Sequence, residues 1–317
     1  MRELNWQPSA SIQNLQQRAQ LLIQIRKFFN SRGYLEVETP VMGHYGITDL
    51  YLSNVTAHCQ AQTTYLQTSP EYHMKRLLAA GSGPIFQLAR VFRNDELGRW
   101  HNPEFTLLEW YQLDIDNHSL MVEVGEFLQE LLHCEPLLKK TYQEVFLTFC
   151  ALDPFVASIS ELQEVLRRYN LEPVLSVDET DRDQYLFLLM SHVIEPALIS
   201  ENRPVAVYDF PESQAALAQI NKGRAARFEV YYRGVELANG FHELTDGALQ
   251  QQRFEVDSEK RRQKGLPSVE IDPLFLSALS VGLPECSGVA LGLDRLIALA
   301  LGQTSISDVV AFDWGRA

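Results

Sequence analysis

Positive charge is scarce in this chain. Its 27 Lys and Arg stand against 41 Asp and Glu, a net charge of −14 over 317 residues. Polyanion binding rests on basic patches, so the composition gives no reason to expect nucleic acid as a partner, although a local patch can sit on an acidic protein. Cysteine is equally sparse. Cys59, Cys134, Cys150 and Cys286 form no CxxC pair, which argues against a zinc site or a disulfide framework. No apolar run reaches the roughly 18 residues that a membrane-spanning helix needs. The opening MRELNWQPSA lacks the apolar core of a signal peptide, and a cytoplasmic location is expected by default. Internal repeats, low-complexity tracts and clear linkers are also missing. A single α+β domain over 1–317 is therefore the expected organisation.

What is present reads as ordinary soluble protein, with 46% hydrophobic and 21% charged residues. Leu15, Ala19, Leu22, Ile25 and Phe29 recur at helical spacing, which predicts an amphipathic helix over 12–30. Gly33 follows as a stop, and 34–39 reads as a strand ended by Pro40. Ser69, Pro70 and Glu71 open a second helix, with Ser69 as N-cap and Pro70 at the first helical position. Segments 85–93 and 104–111 predict an antiparallel pair joined by a long charged loop, 94–103. The stretch 115–200 is mostly helical in pattern and carries no catalytic motif. A strand at 204–210, a hairpin of 227–232 and 235–242 around Arg233-Gly234, a polar helix at 247–264 and a glycine-bearing strand running into a helix at 293–301 complete the reading.

Three stretches carry chemistry: LEVETP ending at Pro40, FRNDELGRWHNPEF at 92–105 and GVALGLDR at 288–295. Each is a weak signal alone. Together and in this order they resemble motifs 1, 2 and 3 of the class II aminoacyl-tRNA synthetases. The resemblance implies an antiparallel sheet flanked by helices, ATP and Mg²⁺ as cofactors, and a homodimer through the motif 1 helix and strand. Forming an aminoacyl adenylate builds negative charge at the α-phosphate, which arginines and Mg²⁺ stabilise. Arg93 ends a strand, where it can hold α-phosphate and carboxylate together. Arg295 opens a helix, and in the family this arginine lies over adenine and reaches the γ-phosphate. Gly292 lets the backbone approach the nucleotide. The resemblance further implies that Phe105 stacks on the other adenine face, with Asn94, Asp95, His101, Asn102, Glu236 and Leu237 also on the ATP side.

Within that class, TSPEYHMKRLL (68–78), FRNDELGRWHNPEFTLLEWY (92–111) and GVELANGFHELTD (234–246) are similar to the lysyl type. A diamino acid presents two ammonium groups, and each needs an anionic partner. The family pattern puts Ser69, Pro70, Glu71 and Glu109 near the backbone-side amine, Glu243 and Tyr111 at the terminal ammonium, and Asn239 beside the carboxylate. Glu229 and Glu236 match the pair that holds Mg²⁺, from opposite arms of the hairpin.

The chain departs from the lysyl pattern in three ways. Motif 1 begins within the first forty residues, so an N-terminal anticodon-binding domain is not expected. Ala290 replaces the middle glycine of motif 3, and its methyl is expected to face the amino-acid pocket. Asp95 stands where motif 2 has glutamate, with Glu96 following, so either carboxylate can serve. With these changes the chain resembles the truncated lysyl-tRNA synthetase paralogues that ligate (R)-β-lysine to elongation factor P. The resemblance implies an ATP-dependent ligase that transfers the acyl group to one lysine ε-amine, with elongation factor P rather than tRNA as acceptor. The rival readings are a minimal lysyl-tRNA synthetase, a free-acceptor ligase of asparagine synthetase type, and an inactive regulatory module. The last is disfavoured because Arg93, Arg295, Glu229, Glu236 and Glu243 are all present.

Overall fold

Caps and strand registers determine where the chemistry-bearing residues stand. The computed structural model describes residues 6–94, 97–176 and 178–317. The chain divides into two compact units, one of Met1–Ile115 with Leu244–Ala317 and one of Asp116–Glu243.

In the first unit, Ser11 accepts from the Asn14 N–H and starts the helix Ile12–Ser31. Only its C-terminal third is deeply buried. There Phe29 stacks on Phe86 at 4.7 Å and meets the edge of Trp110 at 5.2 Å. Four strands lie in the order Leu35–Glu36, Ile85–Phe92, Glu104–Leu113, Cys286–Gly292. The first pair is parallel and the rest antiparallel. A smaller sheet places Gln62–Leu66 between Met42–Gly43 and Val55–Cys59. Helices Glu71–Ala79, Gly247–Gln263, Pro273–Gly282 and Leu293–Ala300 complete this unit. Tyr72 stacks face to face on Phe275 at 4.4 Å, which ties the Glu71 helix to the Pro273 helix.

In the second unit the strand order is Val235–His242, Arg224–Tyr232, Val205–Pro211, Leu138–Thr141, antiparallel except for the last, parallel pair. The hairpin turns at Arg233 and Gly234, whose φ values are +52° and +73°. Two central residues with positive φ are what a type I′ turn requires, and its twist matches the flanking strands. Capping boxes at Thr141/Glu144 and Ser158/Glu161 start Tyr142–Cys150 and Ile159–Arg168. Tyr142, Phe146, Leu186 and Phe210 belong to this unit's core.

The α+β class with an antiparallel-dominated sheet is as the sequence predicts. The Glu71 helix starts one residue later than expected, with Pro70 at the cap position. The Ser69 hydroxyl still accepts the Glu71 N–H at 3.0 Å, so the capping role survives the shift.

Candidate active site

Strand alternation puts Leu107, Glu109 and Tyr111 on one face of the Glu104–Leu113 strand. Opposite them in register stand Ala89, Gln87 and Ile85 on one neighbouring strand, and Gly292, Ala290 and Gly288 on the other. Large side chains on the central strand thus border a floor that carries a single methyl group, that of Ala290, directly beside Glu109.

Glu109 is 1% exposed. It accepts from Tyr111 Oη at 2.6 Å and from Ser69 Oγ at 2.7 Å. One helical turn beyond Glu71, the Lys75 ammonium donates to Glu71 Oε1 at 2.7 Å. Burial pushes the Glu109 carboxyl up, and the Glu71 charge adds to this. The bonds from Tyr111 and Ser69 and the Lys75 charge oppose it, leaving Glu109 raised to about 7.

The motif 2 and motif 3 arginines are held by backbone and rings of the same unit. The Arg93 N–H donates to Pro103 O at 2.9 Å, and Arg93 Nη2 reaches Thr68 O at 3.5 Å. Its guanidinium lies 5.2 Å from the Phe105 ring centroid. Arg295 Nε donates to Trp100 O at 3.1 Å and Nη2 donates to His101 Nε2 at 2.6 Å. Neighbouring Asp294 is engaged elsewhere. It pairs with Arg18 at 2.6 Å and accepts from the Thr106 N–H at 2.8 Å. A Cβ at Gly292 would stand 3.3 Å from Arg295 Cδ, so the missing side chain leaves room for that arginine to pass. Asn102 accepts from the Trp314 N–H at 2.9 Å and donates to Glu104 O at 2.8 Å. Asn94 is exposed, with its N–H on Ser53 O at 3.1 Å. Asp95 and Glu96 lie outside the described residues.

The second unit carries the other predicted carboxylates. Glu229 stands in register with Asn239, and Tyr231 with Glu236 beyond a register shift between Val230 and Tyr231, and the Glu229 and Glu236 charges both act on the Tyr231 phenol. Glu229 is bonded by Arg227 and by the Tyr231 hydroxyl. Arg227 also donates to Asn239 Oδ1 at 3.3 Å and to Gln214 O at 2.7 Å. Burial and then the Glu229 charge hold the Tyr231 phenol well above its usual range. Glu243 is 1% exposed, and its backbone oxygen accepts from Gln219 at 3.1 Å. Leu237 is buried on the same strand.

The structure thus brings Ser69, Pro70, Glu71, Glu109, Tyr111 and Ala290 into one neighbourhood, with Arg93 reaching it through Thr68 O and Phe105 packed on the same apolar cluster as Ala290. Tyr111 serves Glu109 directly, a pairing absent from the sequence reading. Sequence reasoning also passed over Lys75, Arg18 and Arg227. The Glu71–Lys75 spacing of four residues on a helix was the available signal for the first.

The chain matches the family model described as tRNA synthetases class II (D, K and N) over residues 1–314. It is 52% identical to a protein of Haemophilus influenzae (strain PittGG) named elongation factor P–(R)-β-lysine ligase, over 97% of each chain. A Salmonella typhi protein of the same name is also 52% identical, over 98% of each chain. The chain belongs to the class II tRNA synthetases of the D, K and N type.

Proposed function

We propose that this protein is an ATP-dependent ligase that activates (R)-β-lysine as its adenylate and transfers the acyl group to the ε-amine of one lysine of elongation factor P. The buried Glu109, bonded by Ser69 and Tyr111 and flanked in register by the Ala290 methyl, carries this reading. It is an anionic receptor for an amine, with a steric mark where lysyl enzymes have glycine. The names of the two relatives agree with it.

In the first step the substrate carboxylate attacks the α-phosphate and pyrophosphate leaves. Arg93 stabilises the charge at phosphorus, Arg295 holds the γ-phosphate end, and Phe105 offers its ring to adenine. Asn94, His101, Asn102, Leu237 and Gly292 form the remaining nucleotide contacts. Glu71 and Glu109 receive the amine near the reacting carboxylate, Glu243 the terminal ammonium, and Asn239 the carboxylate. In the second step the acceptor amine attacks the carbonyl of the mixed anhydride and AMP leaves.

Glu229 and Glu236, whose charges both bear on Tyr231 from opposite arms of the hairpin, fit Mg²⁺ held by one or two carboxylates and otherwise by phosphate oxygens. Glu229 would exchange its bonds to Arg227 and Tyr231 for that role. Bound there, Mg²⁺ would supply neutralising charge to the triphosphate.

In this reading residues 1–317 are a single class II catalytic domain, in a homodimer and in the cytoplasm. Ile12 and Ile23, 62% and 59% exposed on the motif 1 helix, support a partner for that helix. Among the described residues no helix is long and apolar enough to cross a membrane.

The test is acylation read by intact mass. Purified enzyme, ATP and Mg²⁺ are incubated with (R)-β-lysine or L-α-lysine, and with elongation factor P or tRNA as acceptor. A single lysyl-sized adduct on the protein, strongest with β-lysine, is the expected result. Charged tRNA beside unmodified protein would replace the proposal with a minimal lysyl-tRNA synthetase.

A further inference from the structure

The amine pocket of the first unit holds a charge of the wrong sign for a receptor of cations. Lys75 is 1% exposed, and lysines are almost never buried so completely without a partner. It sits four residues after Glu71 on the Glu71–Ala79 helix, on the same face. Its ammonium donates to Glu71 Oε1 at 2.7 Å and stands 6.0 Å from the centroid of the Phe275 ring. Phe275 is itself fixed by the Tyr72 stack. The lysine is therefore held end-on by a carboxylate and from the side by an aromatic layer.

Two carboxylates that share a buried pocket disfavour each other's ionisation. Glu71 and Glu109 are linked through Ser69, whose hydroxyl donates to Glu109 and accepts from the Glu71 N–H. Among the described residues, the following groups bear on Glu109. Ser69, Glu71 and Lys75 come from the helix and its cap, Tyr111 from its own strand, and Gln87 and Ala290 from the flanking strands. Lys75 is the cation among them.

We propose that Lys75 is a positioning residue for substrate recognition, a built-in counter-cation that favours ionisation of Glu71 and Glu109 side by side in the pocket. The amine of a diamino acid then has less of a proton to displace from Glu109 than it would without Lys75. This inference rests on the substrate reading given above. Without the lysine charge, Glu109 keeps its proton to higher pH, and amine binding has to expel it.

The experiment is calorimetric titration of (R)-β-lysine and L-α-lysine into the full chain from about pH 6 to pH 9, in two buffers of different ionisation enthalpy. Lys75→Met removes charge and hydrogen bond, Lys75→Gln removes the charge but keeps a donor, and Lys75→Arg keeps both. The expected result for Met and Gln is a rise of about one pH unit in the midpoint of the affinity profile, with about half an extra proton released per amino acid bound near pH ~7.5. Arginine returns both readings to those of the unaltered protein. A midpoint and proton release unchanged in the Met and Gln variants would overturn the role of Lys75, even if affinity or melting temperature fell. If the Met variant does not fold, the Gln variant decides by the same readings. Unaltered protein that takes up neither amino acid overturns the substrate reading, an outcome distinct from variants that merely match it.

Discussion

At the scale of single residues, the site is a set of neighbours whose chemistry can be changed one at a time. Ala290 and Glu109 are cross-strand partners, so the methyl bears on whatever amine Glu109 receives. One methyl in a pocket discriminates by about 1–3 kcal/mol. Ala290→Gly is therefore expected to raise L-α-lysine activation relative to (R)-β-lysine by about 10-fold or more, read as kcat/KM in ATP–pyrophosphate exchange. Unchanged selectivity would remove Ala290 from the account. Glu109 has a consequence for stability as well. Its folded pKa, about 7, lies above its ordinary value of 4.5. Its contribution to stability is therefore fully present below pH ~4.5 and is lost as pH rises to ~7. Glu109→Gln escapes this loss, so its stability relative to the unaltered protein should improve between those limits by about 3 kcal/mol. Urea melts at pH 5 and pH 8 check the sign.

At the scale of elements, the first helix, the motif 2 strands and the motif 3 helix meet at one ion pair. Arg18 bonds Asp294 at 2.6 Å, and Asp294 also receives the Thr106 N–H at the motif 2 strand. Asp294 is 3% exposed, so Arg18→Ala would leave a buried carboxylate without its cation. The expected loss is about 3 kcal/mol in urea unfolding, with Arg18→Lys recovering part of it. The elements at this junction were legible in the sequence because each carries a strong local signal. Leu15 to Phe29 recur at helical spacing, apolar runs mark the strands, and glycine precedes the motif 3 helix. The small sheet was not, because Val55–Cys59 and Gln62–Leu66 are only five residues each and bury Thr64 alone, so no apolar run marks them. The Pro273–Gly282 helix had a readable start that went unused. Asp272 accepts from the Leu274 and Phe275 N–H groups, with Pro273 at the first position. Within the site, residue types and order were readable from the motifs. The bonds between them were not, since Tyr111 to Glu109 and Arg18 to Asp294 depend on side-chain direction and on contacts distant in the chain.

At the scale of the whole molecule, charge sets the terms of association. A protein of net charge −14 has no general attraction for polyanions. Filter binding to bulk tRNA at physiological salt should show no saturation below about 100 µM, and saturable binding well under that value would point to a local basic patch. The floor beneath Glu109 bears on how such a molecule can change its trade. Gly288, Ala290 and Gly292 face Tyr111, Glu109 and Leu107 in register, and the ladder that joins the two strands is made by backbone alone. In the proposed reading, substrate choice and folding are written in different parts of the same strand. A lineage can readdress this scaffold from one amino acid to another by gaining or losing one carbon atom, with the hydrogen-bond ladder that holds the sheet together left as it was.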